Sequence, residues 1–142
     1  TKSLKKNQSI SLSKQKYLDT ILLLQNRNTG YPQIPPHAHV KDIAAELGIK
    51  MASVTGAAKS LEKENLIYYH ARKQISLTNK GLKIASELKS KHQTLFKFFN
   101  SLLKCDQKES ESLACEIEHI INENVRQKIE KLINNFNLKQ KK

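Results

Sequence analysis

Cys115, Glu118 and His119 stand at positions i, i+3 and i+4. On a helix that spacing gathers a thiolate, a carboxylate and an imidazole within an arc of roughly 100°. Mixed sulfur, nitrogen and oxygen donors suit first-row divalent ions and suit Ca2+ or Mg2+ poorly, because those harder ions take oxygen ligands. His92, on the preceding helical stretch, is a candidate fourth ligand, and Asp19, near the front of the chain, a candidate fifth. The arc lies roughly opposite Leu113, Ile117 and Ile120, so one side of the segment is free to pack a partner helix while the other holds an ion. A plainer alternative is a surface carboxylate, a hydrogen-bonded imidazole and a buried thiol. One triplet at helical spacing leaves both readings open.

Helices must position these residues. Ile84, Leu88, His92, Leu95, Phe99 and Leu102 fall on one stripe, which predicts a long helix over residues 79–103 with His92 inside its apolar seam. Residues 109–136 read as helical too, and the drift of their apolar stripe near Asn122 predicts two helices meeting there. The residues after Asn137 form a polar, basic tail.

Upstream, Ser13 is a candidate N-cap, with Leu12 and Tyr17 placed as a hydrophobic staple, for a helix running to about Gln25. Residues 26–39 hold Gly30, Pro32, Pro35 and Pro36 and read as a loop. Val40, Ile43, Ala44 and Leu47 then share a helical face, Gly48 supplies a turn, and a second helix is expected from about Ala52 to Lys63. Two β-prone runs follow, residues 66–70 and 74–77, joined by Ala71, Arg72 and Lys73. This is the pattern of a helix-turn-helix with a two-stranded wing.

In such a motif the second helix enters the DNA major groove. That places Lys50, Ala52, Ser53, Thr55, Gly56 and Lys59 at the groove, with Arg72 and Lys73 of the wing reaching backbone phosphates or the minor groove. No Arg, Asn or Gln stands there for a bidentate base contact, so shape and backbone contacts are expected to carry much of the recognition. His37, His39 and His70 show no common face in the sequence and read as surface residues.

Composition bounds the rest. With 142 residues there is room for a small DNA-binding unit plus a helical companion, and a large enzyme scaffold is excluded. The net charge of +12 favours a polyanionic partner. Residues 40–80 carry seven basic against four acidic side chains, a modest excess. No run is long and apolar enough to span a membrane, no signal-peptide core is visible, and Cys105 and Cys115 are expected to stay reduced, so a cytoplasmic protein is expected. Cys115 and His119 share one helix without a Gly-rich loop, oxyanion nest or paired carboxylates, which argues against an enzyme.

Taken together, these elements resemble the diphtheria-toxin-repressor family of iron- and manganese-dependent regulators, in its short, manganese-regulator-like branch without an SH3-like domain. The resemblance rests on Leu12-Ser13 with Tyr17-Leu18 and Ile21, Asp42-Ile43-Ala44 with Leu47-Gly48, Ser53-Val54-Thr55, Leu61-Glu62-Lys63, Leu66-Ile67, Leu77-Thr78 with Gly81, His92, and Cys115 with Glu118-His119. It implies a homodimer that binds a palindromic operator when loaded with Fe2+ or Mn2+, through one site built from His92, Cys115, Glu118 and His119, with Asp19. It also implies a mainly α chain: a basic arm at residues 1–11, a winged helix-turn-helix at 12–78, an all-helical metal-binding and dimerisation domain at 79–136, and a basic tail at 137–142. The chain departs from the pattern in two respects. Lys16 occupies a first-helix position where the family usually has a metal-binding Asp or Met, and Glu111 and Phe96 lie near positions that hold second-site ligands in some relatives, which implies a single site. Lys16 leaves a second reading standing, a winged-helix regulator whose metal control is altered or replaced by another ligand.

Overall fold

The computed structural model describes residues 10–28 and 35–141. Most of the expected basic arm, with Gly30 and Pro32 of the loop, lies outside these residues. The chain forms two compact units, residues 1–85 and 86–142, and the division falls within one helix.

The first unit begins with α1 (Leu12–Arg27). Its N-cap is Ser11 rather than Ser13: the Ser11 hydroxyl accepts from the Lys14 amide, and its carbonyl takes the first intrahelical bond from Gln15. A two-residue strand, β1 (Ala38–His39), precedes α2 (Val40–Leu47). The turn after α2 closes on Gly48 at φ +65, a left-handed conformation that glycine adopts without strain, and α3 (Met51–Lys63) follows. β2 (Ile67–His70) and β3 (Gln74–Leu77) make the wing. The sheet has three strands in the order β1-β3-β2, both pairings antiparallel, so β1 adds to the two-stranded wing expected from sequence. Leu18, Ile21, Val40, Ile43, Val54, Leu61, Leu66, Ile67 and Ile75 are almost fully buried and form one core under both helices and sheet. Gln25 is buried with them and its side-chain oxygen accepts from the Leu77 amide, tying α1 to β3.

A compact polar knot ends the wing. The Thr78 hydroxyl donates to the Asn65 carbonyl and accepts from the Gly81 amide, while the Thr78 amide donates to the Leu66 carbonyl. The helix that starts here is α4 (Asn79–Lys97).

In the second unit α4 loosens into a π-helical turn over Phe98–Leu102, where sequence periodicity alone predicts unbroken helix to residue 103. The Leu103 amide bonds the Phe98 carbonyl, Lys104 takes φ +61, and the chain reverses into α5 (Gln107–Ile117), N-capped by Asp106. Asn122 caps α6 (Glu123–Gln140), the break expected from the drift of the stripe. Arg126 grips Glu123 and bonds the Thr94 hydroxyl, which donates in turn to Glu130, so α6 is fastened to α4. Among the described residues no helix is long and apolar enough to cross a membrane.

Candidate functional site

In the second unit the chain passes from α4 through the π-helical reversal into α5, and His92 of α4 meets Glu118 at the end of α5. Its Nδ1 lies 3.2 Å from Glu118 Oε2 and 3.9 Å from Cys115 Sγ. Donor atoms of His92, Cys115 and Glu118 all lie within 4.8 Å of one another. Glu118 is 4% exposed and Cys115 is exposed, so the cluster has a buried carboxylate at its floor and a thiol at its mouth.

α5 ends at Ile117, with Glu118 as its C-cap, so the expected arc is helical only as far as Glu118. His119 lies in the turn beyond it and approaches the other Glu118 oxygen, Nε2 to Oε1 at 3.3 Å. It flanks the carboxylate, beside the three converging donors. Asp19 is half-buried on α1 and belongs to the first unit, whereas the other four expected ligands belong to the second. Lys16 is exposed on the same helix.

Glu111, which the resemblance placed only near second-site positions, stands here against His92. It sits one turn before Cys115 on α5, and its Oε1 is 2.9 Å from His92 Nε2. The signal was available in the i, i+4 spacing to Cys115, but only the fold shows that His92 stands between two carboxylates. Glu118 first, then Glu111, hold the His92 imidazolium and raise its pKa to about 9 against the opposing effect of burial. A carboxylate on Nε2 is the arrangement that leaves Nδ1 as the ligating atom of a histidine and fixes the ring's orientation. Glu111→Gln is expected to weaken divalent-metal affinity by about tenfold to a hundredfold, read by calorimetric titration, with the fold intact because Glu111 is exposed.

In the first unit Lys50, Ala52, Ser53, Gly56 and Lys59 are exposed along one side of α3, and Val54, Ala58 and Leu61 are buried on the other. Thr55 is half-buried, with its hydroxyl donating to the Met51 carbonyl. Arg72 and Lys73, both at positive φ, project at the exposed tip between β2 and β3.

Residues 78–141 match the family described as the iron dependent repressor, metal binding and dimerisation domain. The chain resembles the diphtheria-toxin-repressor family, the match spanning 64 of its 142 residues. It is similar to an uncharacterized HTH-type transcriptional regulator of Methanocaldococcus jannaschii, 28% identical over 127 residues that cover 89% of this chain and 97% of the relative. The HTH-type transcriptional regulator MntR of Bacillus subtilis is 29% identical over 124 residues, 87% of this chain and 82% of that one. Among solved structures, the manganese regulator SloR superposes with a TM-score of 0.69 at 26% identity, covering 85% of this chain and 53% of SloR. The chain thus has a mainly helical, winged-helix architecture and spans about half the length of SloR.

Proposed function

We propose that this chain is a metal-dependent transcriptional regulator that acts as a repressor. It binds operator DNA as a homodimer in the cytoplasm when loaded with Fe2+ or Mn2+, and it has no enzymatic activity. The observation that carries the reading is the convergence of His92, Cys115 and Glu118 within 4.8 Å in one helical unit while the other unit exposes a basic reading helix and wing. The donor set fits a first-row divalent ion: one imidazole, one thiol and one buried carboxylate, with a second imidazole behind the carboxylate. Such an ion, when bound, supplies the positive charge that compensates Glu118 and the Cys115 thiolate. The sulfur donor favours Fe2+ over Mn2+. The likeness to SloR, described as a manganese regulator, supports the class of ion.

For DNA, Lys50 and Lys59 are placed for phosphates, and Ser53 and Thr55 for phosphate or base edges. Ala52 offers a methyl to thymine, and the absent side chain of Gly56 permits close approach. A Cβ at Gly56 would meet nothing within 4 Å in the free protein, so the glycine answers no internal packing need. Dimerisation is supported by apolar side chains left uncovered in the second unit, among them Leu132 at 52% exposure and Ile120 at 78%. Such a dimer presents two reading helices to half-sites about one DNA turn apart.

A calorimetric titration with Mn2+ and Fe2+ across pH tests the metal half. Ligands must be deprotonated to bind, and His92 is protonated below about pH 9 in the free chain. Metal uptake at neutral pH is therefore expected to release a proton from His92 and a second from any thiol form of Cys115. The apparent affinity should rise about tenfold per pH unit for each proton released, until pH passes about 9. The same ion pair stabilises the metal-free unit fully below pH 6.5 and loses that contribution as pH rises through about 9. A second reading is favoured by this very pairing: a site that has exchanged metal control for internal ion pairs. It predicts no heat and no proton release with either ion.

A further inference from the structure

Three histidines lie outside the proposed metal and reading elements, and the sheet gathers them. Gln74 of the central strand pairs with His39 on one side and His70 on the other. Residues paired across antiparallel strands project to the same face, so the three side chains form one row. His37 meets His39 edge-on with ring centroids 4.9 Å apart. The lack of a common face expected from sequence is thus corrected by strand register, since β1 turns part of the loop into an edge of the wing sheet.

Beside the row is a cavity of about 350 Å3, lined among others by Pro35, His37, His70, Arg72, Gln74 and Ser76. Its chemistry is one of donors. The Pro35 carbonyl can only accept, so the bond at 3.0 Å assigns the proton to His37 Nδ1 and leaves Nε2 for a ligand. His70 Nε2 is 2.9 Å from the Ser76 hydroxyl, leaving Nδ1. Arg72 supplies a permanent charge, held at φ +63, and neither it nor Lys73 has a carboxylate partner among the described residues. The described lining contains no acidic side chain. A fixed guanidinium is unfavourable beside a metal ion and favourable beside an oxyanion, for which it offers a forked pair of donors.

We propose that this cavity seats a phosphodiester group of duplex DNA, with Arg72 providing fixed charge and His37 and His70 providing N–H donors. The inference rests on the DNA-binding reading and extends it to residues outside the reading helix and wing tip. With Nδ1 committed to Pro35, His37 meets a seated phosphate through Nε2. The groups that face the cavity and carry or gain charge are His37, His70 and Arg72, with His39 and Lys73 adjacent.

The test is fluorescence anisotropy on a bound duplex for the metal-loaded wild type, H37A/H70A and R72Q at pH 6 and pH 8, with imidazole NMR during addition of inorganic phosphate. H37A/H70A is expected to bind about tenfold more weakly at pH 6, and to lose the gain in affinity that the wild type shows from pH 8 to pH 6. R72Q should lower the salt dependence by about one phosphate contact. Phosphate should shift the His37 and His70 signals. Should the alanine pair melt early, H37Q/H70Q replaces it with the same expectation. Equal duplex affinity of wild type and variants at both pH values overturns the inference and leaves DNA binding standing. Phosphate shifts without any loss of duplex affinity also overturn it, leaving a site for small oxyanions only. A wild type that binds no duplex at all marks the failure of the underlying reading, and this inference falls with it.

Discussion

Replacing Glu118 with glutamine is expected to lower Mn2+ and Fe2+ affinity at least a hundredfold. Three features concentrate the effect on this residue. Its carboxylate is 4% exposed, it is the acceptor nearest His92 Nδ1, and its second oxygen faces His119 at 3.3 Å. A divalent ion left with the His92 imidazole and the Cys115 thiolate loses its one buried carboxylate charge, and mutations even of residues outside the ligand set commonly cost ten- to a hundredfold. Glutamine preserves volume and keeps a hydrogen-bonding oxygen, so the helical unit should still fold. Circular dichroism separates the two effects: retained helicity with lost metal heat supports the ligand role, and unchanged metal affinity would remove Glu118 from the site. In the metal-free chain the same substitution removes the main support of the His92 imidazolium, so its pKa should fall back from about 9 towards the ordinary histidine range.

The second large effect is structural. Gly81→Ala should destabilise the winged unit by about 3 kcal/mol, a fall in Tm on the order of 10 °C. A Cβ at position 81 would collide with the Leu66 carbonyl oxygen and stand 3.3 Å from a Leu77 methyl. That carbonyl already accepts from the Thr78 amide, and Thr78 caps Gly81, so relief requires moving backbone that is hydrogen-bonded on both sides. Gly56→Ala is the matching control. It meets open space on an exposed helix face, and helix propensity alone should leave stability unchanged or raise it by about 1 kcal/mol. Thermal melts of both variants decide, and a Gly81→Ala melt equal to wild type would contradict the close approach.

These two residues also show what the sequence discloses. Gly81 is visible in the family pattern, but its reason, a carbonyl from fifteen positions upstream pressed against it, exists only after the wing folds onto the start of α4. Helices, the helix-turn-helix and the hairpin are legible because each repeats its apolar spacing over several turns or residues. β1 is not, since two residues cannot display alternation and Ala38–His39 joins the sheet only through pairing with β3. The π-helical turn is equally silent, because Phe99 and Leu102 keep the helical stripe going through it. At the candidate metal centre, local spacing pointed to Cys115 and Glu118, and the apolar seam drew notice to His92 as an outlier. The contact of Glu111 with His92 escaped because the two are 19 positions apart on separate helices, at a distance set by the reversal between α4 and α5. The end of α5 at Ile117 likewise puts His119 in a turn against Glu118, where spacing alone predicts one continuous helical arc.

The most direct measurement is the affinity of the full chain for a duplex enriched from a random pool, taken in Fe2+, in Mn2+ and in chelator at one salt concentration. Coupling between two sites usually amounts to about 5- to 150-fold, and a gain in that range with metal is the predicted result, lost in the Glu118→Gln variant. Equal affinity in all three conditions would contradict metal control while leaving the winged-helix reading of DNA in place.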